Sequence, residues 1–257
     1  MSSPSNIEMA RKPAIWNTTK LDHVRAVIAV ASGKGGVGKS TLTVNLAHAL
    51  AAVGKNVGIL DADIYGPSIP RMLGVSGRPE IADNKMAPLV GHGIACMSIG
   101  FITGDEAAVL RGPMISKTLT QLLRLTRWGT AEKPLDILLV DMPPGTGDVH
   151  LSMAQLVPLT GAIITTTPQE VALMDARKAA LMFTKVNVPI LGVVENMSGG
   201  MFGAGGGKKL ADEFSTPLLG TVPMDAAICA AGDNGAIYNG EAAAIYKRIA
   251  APFTAIS

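Results

Sequence analysis

The sequence predicts an α/β protein in which a doubly wound, mostly parallel sheet carries helices on both faces. Short apolar runs rich in β-branched residues alternate with amphipathic segments of about ten or more residues. A glycine-rich loop separates the first apolar run from the first helical pattern. The 257 residues show no compositional break and no internal repeat. We therefore expect a loosely structured lead-in over residues 1–23 and one domain over residues 24–257.

Each predicted element rests on its own residue pattern. Leu42, Leu46 and Leu50 recur every four residues and place one apolar stripe on the first helix. Between Arg71 and His92, proline, glycine and mixed charge predict a surface excursion. The apolar runs predict strands at Val24–Ala31, Asn56–Leu60, Gly93–Phe101, Leu135–Val140, Gly161–Thr167, Val188–Glu195 and Pro217–Val222. Helices are predicted at Ser40–Ala52, Leu110–Thr126, Glu170–Lys185, Lys208–Phe214 and Gly240–Ala251.

The loop after the first strand has the residue types of a phosphate-binding loop. Gly33, Gly38, Lys39 and Ser40 fit the spacing G-x-x-x-x-G-K-S. Residues without a Cβ let backbone N–H groups approach phosphate oxygens closely, and the following helix N-terminus adds its field. Lys39 can neutralise the outer phosphates, and the Ser40 hydroxyl can join the coordination shell of Mg²⁺. A plain glycine turn is the alternative, and it explains neither the lysine nor the serine.

Acidic residues follow two of the predicted strands. Asp61 and Asp63 come after one strand, and Asp141 ends another. At the carboxyl edge of a parallel sheet, one of the first two can hold an attacking water or the metal shell. Asp141 can hold a metal-bound water beside Ser40, and the run from Pro143 to Gly147 can respond to a γ-phosphate. The structural alternative for each is a cap or turn aspartate.

Composition excludes several classes of function. The net charge is +2 and charged residues are 16%, with no basic stripe, so a general nucleic-acid binder is not expected. No apolar run approaches the length of a membrane span. Residues 1–13 show no apolar signal-peptide core, so we expect a cytoplasmic protein. Cys96 and Cys229 give no disulfide framework, and packing is the expected role of each, with Cys229 as the possible ligand.

Together these motifs resemble the Mrp/ApbC branch of the MinD-like P-loop ATPases, which are ATP-dependent iron–sulfur cluster carriers. The resemblance runs from about Val27 to about Ile237. It is carried by Ser32–Thr41, Leu60–Pro70, Met97–Phe101, Arg111–Met114, Asp141–Asp148, Glu195–Ser198 and Phe202–Gly207.

The resemblance implies roles for individual residues. Lys34, the extra lysine of the loop, would reach the nucleotide of a partner subunit in an ATP-sandwich homodimer, and Asp63 would position the hydrolytic water. With Lys39 these form the expected catalytic set. Ser40 and Asp141 would hold Mg²⁺. The expected nucleotide-binding residues are Gly33, Lys34, Gly35, Gly36, Val37, Gly38, Lys39, Ser40, Thr41, Asn196 and Pro223, with Asn196 reading adenine. The expected switch residues are Asp61, Pro144 and Gly145.

One segment departs from the family pattern. Family members usually carry Cys-x-x-Cys between the positions of Ser198 and Phe202, whereas this chain has only Gly199, Gly200 and Met201 there. A cluster usually needs about four thiolates. The resemblance implies a slow, dimer-dependent Mg-ATPase that acts in iron–sulfur protein assembly with an apo-protein or assembly partner. The missing pair keeps an alternative open, an ATP-driven dimerisation switch or scaffold that binds a protein partner without a cluster. A phosphoryl transferase would need an acceptor pocket, and the sequence shows no sign of one.

Overall fold

The computed structural model describes residues 20–64, 66–103, 112–147, 151, 153–154 and 157–256. The strands within these ranges are β1 (Val24–Ala31), β2 (Val57–Asp61), β3 (Ile81–Ala82), β4 (Lys85–Met86), β5 (Leu89–Gly91), β6 (Ile94–Ser98), β7 (Leu135–Asp141), β8 (Gly161–Thr166), β9 (Ile190–Ser198) and β10 (Leu218–Pro223). The helices are α1 (Lys39–Ala51), α2 (Ile69–Met72), α3 (Gly100–Thr103), α4 (Gly112–Leu125), α5 (Glu170–Lys185), α6 (Gly206–Glu213), α7 (Ala226–Asp233) and α8 (Ala243–Ala250). Short 3₁₀ turns lie at Gly200–Phe202 and Ala251–Phe253.

Eight of these strands form one sheet in the order β10-β9-β8-β1-β7-β2-β6-β5. Every neighbouring pair is parallel except β5 and β6, which are antiparallel. The predicted doubly wound, mostly parallel sheet is therefore confirmed. Its register aligns Val30 and Asp61 with Asp141, so the carboxyl ends of β1, β2 and β7 meet at one edge.

The sheet buries apolar side chains on both faces. Along β1, Ile28 and Val30 pack on one side, and Ala29 and Ala31 pack on the other, as the two-residue repeat of a strand requires. The first face carries α1, α2, α7 and α8, and the second carries α4, α5 and α6. The leucine stripe predicted on α1 is buried against the first face. A strand covered on both faces reads as a continuous apolar run, which explains why β1 shows no polar alternation.

Several predicted boundaries shift in the structure. The strand predicted over Gly93–Phe101 ends at Ser98, and α3 begins at Gly100. The segment Arg71–His92, predicted as a surface excursion, contributes the β3–β4 pair and the antiparallel edge strand β5. These strands are two or three residues long, too short for periodicity to reveal. Almost all of the predicted lead-in, the first part of the helix predicted from Leu110, and Asp148 lie outside the described residues.

No helix in the described ranges combines the length and the apolar character that crossing a bilayer demands.

The packing of α5 on the sheet generates a stability prediction. Phe183 is fully buried, whereas Leu181 on the same helix is 45% exposed. We expect Phe183→Ala to lower the free energy of unfolding by about 3–5 kcal/mol, because the substitution leaves a cavity. Leu181→Ala is the matched control and should change it by about 0.5 kcal/mol or less. Urea unfolding measures both, and equal effects of the two substitutions would contradict this packing.

Candidate functional site

The glycine-rich loop lies between β1 and α1, as the sequence predicts. Gly36 and Gly38 have φ values of 77° and 82°, in the left-handed region that favours glycine. The Ser32 hydroxyl donates a hydrogen bond to the Lys34 carbonyl at 2.9 Å and so holds the start of the loop. The first turn of α1 contains no acidic residue. Its N-terminal N–H groups and helix dipole therefore favour a bound anion.

Two glycines of the loop are enclosed by neighbouring elements. A Cβ on Gly33 would lie 1.9 Å from the backbone carbon of Asp175 in α5. A Cβ on Gly38 would lie 2.0 Å from Nδ2 of Asn196, at the end of β9. That amide nitrogen donates to the carbonyl of Val37 at 2.9 Å. The loop is therefore held from two sides, by the backbone of α5 and by the Asn196 side chain.

A buried polar cluster joins the start of α1 to the end of β7. The Lys39 ammonium lies 2.7 Å from Oδ2 of Asp141, a fully buried carboxylate. The Ser40 hydroxyl donates to the same oxygen at 2.7 Å, and the Thr43 hydroxyl donates to Oδ1 at 2.8 Å. Lys39 and Ser40 of the loop are therefore in contact with Asp141, as the sequence predicts. Hydroxyl and carboxylate oxygens are the ligands that Mg²⁺ prefers, so Ser40 and Asp141 fit that ion.

The two aspartates after β2 occupy different places. Oδ2 of Asp63 lies 3.5 Å from the Lys39 ammonium and faces the cavity. Asp61 is fully buried and accepts hydrogen bonds from the Ser98 hydroxyl at 3.0 Å and from the backbone N–H of Ile69 at 3.3 Å. Asp63 can therefore reach a ligand directly, whereas Asp61 shapes the loop that carries Asp63.

Burial and charge set the protonation of this cluster. Burial alone would lower the pKa of Lys39, but the attraction of Asp141 outweighs it, and the pKa is raised. Burial, followed by the negative charge of Asp141, raises the pKa of Asp61 to about 8. The hydrogen bond from Ser98 opposes that rise. The site therefore keeps a charged lysine beside Asp141 at neutral pH.

These residues border a cavity of about 380 Å³. Lys34 lines it, and no carboxylate of the described residues forms an ion pair with this lysine. The residues lining the cavity are Ser32, Lys34, Gly35, Gly36, Gly38, Lys39, Ser40, Thr41, Asp63, Ser68, Arg71, Met72, Pro144, Ile228, Cys229, Gly232 and Asp233. This volume lies within the range of small-molecule sites.

Three other predicted residues, Gly145, Asn196 and Pro223, are not among those that line the cavity. The backbone N–H of Gly145 donates to the Ser32 carbonyl at 3.2 Å, which ties the predicted switch to the phosphate loop. Pro223 ends β10 and pairs with Ser198 of β9. Asn196 contacts the underside of the loop and is also absent from the lining.

One wall of the cavity is formed by α7, which the sequence did not predict. Asp225 caps this helix, accepting from the Ala227 N–H at 2.8 Å and from the Tyr238 hydroxyl at 2.6 Å. An aspartate before an alanine-rich run is a helix-start signal that could have predicted it. The packing role expected for Cys229 is wrong, because its side chain is exposed and lines the cavity. Cys96 is buried in β6, as expected, and burial raises the pKa of its thiol.

The chain is similar in sequence to proteins of a known family. The family model "ParA: NUBPL iron-transfer P-loop NTPase" matches residues 23–254. The chain belongs to this family. It is 53% identical over 223 residues to the iron-sulfur cluster carrier protein of Escherichia coli K12, covering 82% of this chain and 59% of that protein. It is 52% identical over 229 residues to the mouse iron-sulfur cluster transfer protein NUBPL, covering 84% of this chain and 70% of that protein. The chain thus spans about three fifths of the bacterial relative.

Solved structures show the same fold. A nucleotide-binding protein of Archaeoglobus fulgidus, solved in complex with ADP, is 36% identical with a TM-score of 0.74, covering 85% of this chain and 89% of that chain. The cell division ATPase MinD of Pyrococcus furiosus has a TM-score of 0.72 at 23% identity, covering 91% of this chain and all of that one. The expected resemblance to the iron–sulfur cluster carriers and the expected MinD-like fold are confirmed.

The close approach at Gly33 generates a prediction about the loop. We expect Gly33→Ala to lower the thermal unfolding temperature without nucleotide, because the new Cβ would collide with the α5 backbone at Asp175. Gly35→Ala is the matched control, since its Cβ would meet only Pro144 Cβ at 3.9 Å. Calorimetry of both variants tests this. An unfolding temperature for Gly33→Ala that equals the control would show that the loop is not packed on α5.

Proposed function

We propose that the protein is a Mg-ATP-hydrolysing homodimer that acts in iron–sulfur protein assembly. The observation that carries the proposal is the contact of Lys39 and Ser40, which line the cavity, with the buried Asp141. This arrangement places a cation, a hydroxyl and a carboxylate beside the N-terminus of α1. Such a set suits the phosphates of a nucleotide together with a divalent ion.

Each residue of the floor has a distinct task in this proposal. Lys39 neutralises charge on the outer phosphates, and the N–H groups of the loop hold their oxygens. Ser40 and Asp141 would hold Mg²⁺, which neutralises part of the phosphate charge when bound. Asp63, whose carboxylate faces the cavity, orients water for in-line attack on the γ-phosphate.

Lys34 supports the dimeric part of the proposal. Its side chain lines the cavity and has no ion-pair partner among the described residues. In the proposed dimer each Lys34 contacts the nucleotide of the other subunit and stabilises charge that develops during hydrolysis. Loss of the γ-phosphate then releases the segment at Pro144 and Gly145 and changes the affinity for the partner protein.

The proposed cargo is an iron–sulfur cluster, and the support for it is less direct. The relatives are named for carrying or transferring iron–sulfur clusters, which supports the same class of cargo here. A cluster commonly takes about four thiolates, whereas this chain has Cys96 buried and Cys229 exposed. The described residues also contain no group of three or more histidine, cysteine or acidic side chains suited to a metal ion. The cysteines of one chain do not fit a cluster, so we assign further ligands to the apo-protein or assembly partner.

The same observation favours a second candidate function. A chain with only one exposed thiol can keep the ATP-driven dimerisation and lose the cargo. It then acts as a switch or scaffold that binds a protein partner without a cluster.

Lys34→Ala tests the proposed hydrolysis. We expect turnover to fall by about 100-fold or more, because a charge that stabilises the transition state is lost. ADP affinity of the monomer should change little, since Lys39 and the loop remain. Lys178→Ala, which removes an exposed lysine of α5 that does not line the cavity, is the matched control. A steady-state ATPase assay and calorimetric ADP binding provide the readouts, and unchanged turnover in Lys34→Ala would remove this lysine from the mechanism.

Iron and acid-labile sulfide per dimer, measured after anaerobic reconstitution, separate the two candidate functions. The carrier function predicts a stoichiometric cluster in the presence of the partner's ligands, and its loss in Cys229→Ser. Cys96→Ser is the control, because that thiol is buried away from the cavity. Protein that hydrolyses ATP but holds no iron under any of these conditions would favour the switch without cargo.

A further inference from the structure

Thr43 joins the second turn of α1 to the carboxylate at the end of β7. It lies four residues after Lys39, and residues four apart share one face of a helix. Lys39 and Thr43 therefore both reach Asp141, the last residue of β7. Thr43 and Asp141 have no exposure to solvent. The hydrogen bond between them is thus shielded from water.

The two oxygens of the Asp141 carboxylate have different donors. Oδ2 accepts from the Lys39 ammonium at 2.7 Å and from the Ser40 hydroxyl at 2.7 Å. Oδ1 accepts from the Thr43 hydroxyl at 2.8 Å. Lys39 and Ser40 line the nucleotide cavity, whereas Thr43 is not among its lining residues. Oδ2 is therefore the oxygen beside the cavity-lining residues, and Oδ1 is bonded to the buried interior of α1.

The ordinary role of a helical threonine does not account for this contact. Threonine hydroxyls in helices often bond to the carbonyl four residues earlier, and the Thr43 hydroxyl does lie 3.0 Å from the Lys39 carbonyl oxygen. The hydroxyl carries one proton, however, and an ionised carboxylate is a stronger acceptor than a neutral carbonyl. The helical pattern also provides the Lys39 carbonyl with a backbone N–H four residues later. The bond to Asp141 is therefore the stronger use of this proton.

We propose that Thr43 is a positioning residue that fixes the orientation of the Asp141 carboxylate, so that Oδ2 is the oxygen available to Mg²⁺ beside Ser40. Rotation of the carboxylate away from this orientation breaks a charge-assisted hydrogen bond at a place that solvent does not reach. The inference rests on the Mg-nucleotide binding within the proposed function. It assigns part of the metal affinity to a residue that does not line the cavity.

Two substitutions at Thr43 separate its hydroxyl from its shape. Thr43→Val replaces the hydroxyl by a methyl group of similar size, and Thr43→Ser keeps the hydroxyl. The readout is the factor by which excess Mg²⁺ raises the affinity for ADP, measured by calorimetry with Mg²⁺ and with EDTA. In Thr43→Val this factor should fall by about tenfold or more, as loss of a residue that orients a metal ligand implies. Thr43→Ser should keep the factor within about twofold of wild type.

Affinity for ADP in EDTA distinguishes positioning of the metal ligand from support of the phosphate loop. We expect this affinity to stay within about twofold of wild type in Thr43→Val, because Lys39 and the loop remain. Thr126→Val is the matched control. Thr126 is 4% exposed and its hydroxyl donates to the Leu122 carbonyl, four residues earlier, but it does not line the nucleotide cavity. That variant should match wild type with Mg²⁺ and with EDTA.

An unchanged Mg²⁺ factor in Thr43→Val would overturn the inference. An equal loss of affinity with Mg²⁺ and with EDTA would also overturn it, because Thr43 would then act on the phosphate loop. A matching loss of the factor in Thr126→Val would do the same, since general destabilisation would explain the effect. If Thr43→Val does not fold, Thr43→Ala removes the hydroxyl without adding a methyl group, and the same factor decides.

The wild-type protein separates this inference from the proposed function. Wild-type affinity for ADP that Mg²⁺ does not raise would contradict the metal site of the proposed function, and the role of Thr43 with it. A wild-type factor that Thr43→Val retains in full would contradict the role of Thr43 alone.

Discussion

The contact between Lys39 and Asp141 is the interaction on which the site depends. It joins the first turn of α1 to the end of β7, and the carboxylate has no exposure to solvent. A buried ion pair gains little net stability, because both charges lose their hydration. Removal of either partner, however, leaves an uncompensated buried charge and is strongly unfavourable. The pair therefore fixes where the loop lies relative to the sheet edge, and Ser40 and Thr43 complete the bonds to the carboxylate.

The sheet register supplies the remaining geometry. Asp61 and Val30 align with Asp141 on the strands that flank β7, so three strand ends reach the same level. Asp61, buried at this level, turns the chain so that Asp63 points toward Lys39. The loop from Pro143 to Gly147 begins at the same edge, and the backbone N–H of its Gly145 donates to the Ser32 carbonyl. The cavity is a consequence of where parallel strands end, as in other sheets of this kind.

The sequence predicted those parts of the site that depend on residues close together in the chain. The loop at Ser32–Thr41 combines fixed spacing with flanking elements, and the buried strands are continuous apolar runs. The wall formed by α7 was missed because its residues are distant in sequence from the loop and its helix is short. The exposure of Cys229 depends on which face of α7 meets the cavity, and an alanine-rich helix has little periodicity to show this. The edge strand β5 pairs through its backbone and is three residues long, which is too short for a sequence pattern to predict it.

Asn196 shows why a residue's chemistry alone does not determine its role. An amide at a strand end carries both a donor and an acceptor, so it suits an adenine edge and a backbone carbonyl equally well. In the structure one of the two N–H groups of Nδ2 donates to the Val37 carbonyl, in the space that Gly38 leaves. Glu195, its neighbour, is committed to the loop that leads into α6. Two adjacent side chains therefore contact two loops on opposite faces of one strand. A displacement of that strand end would shift both contacts.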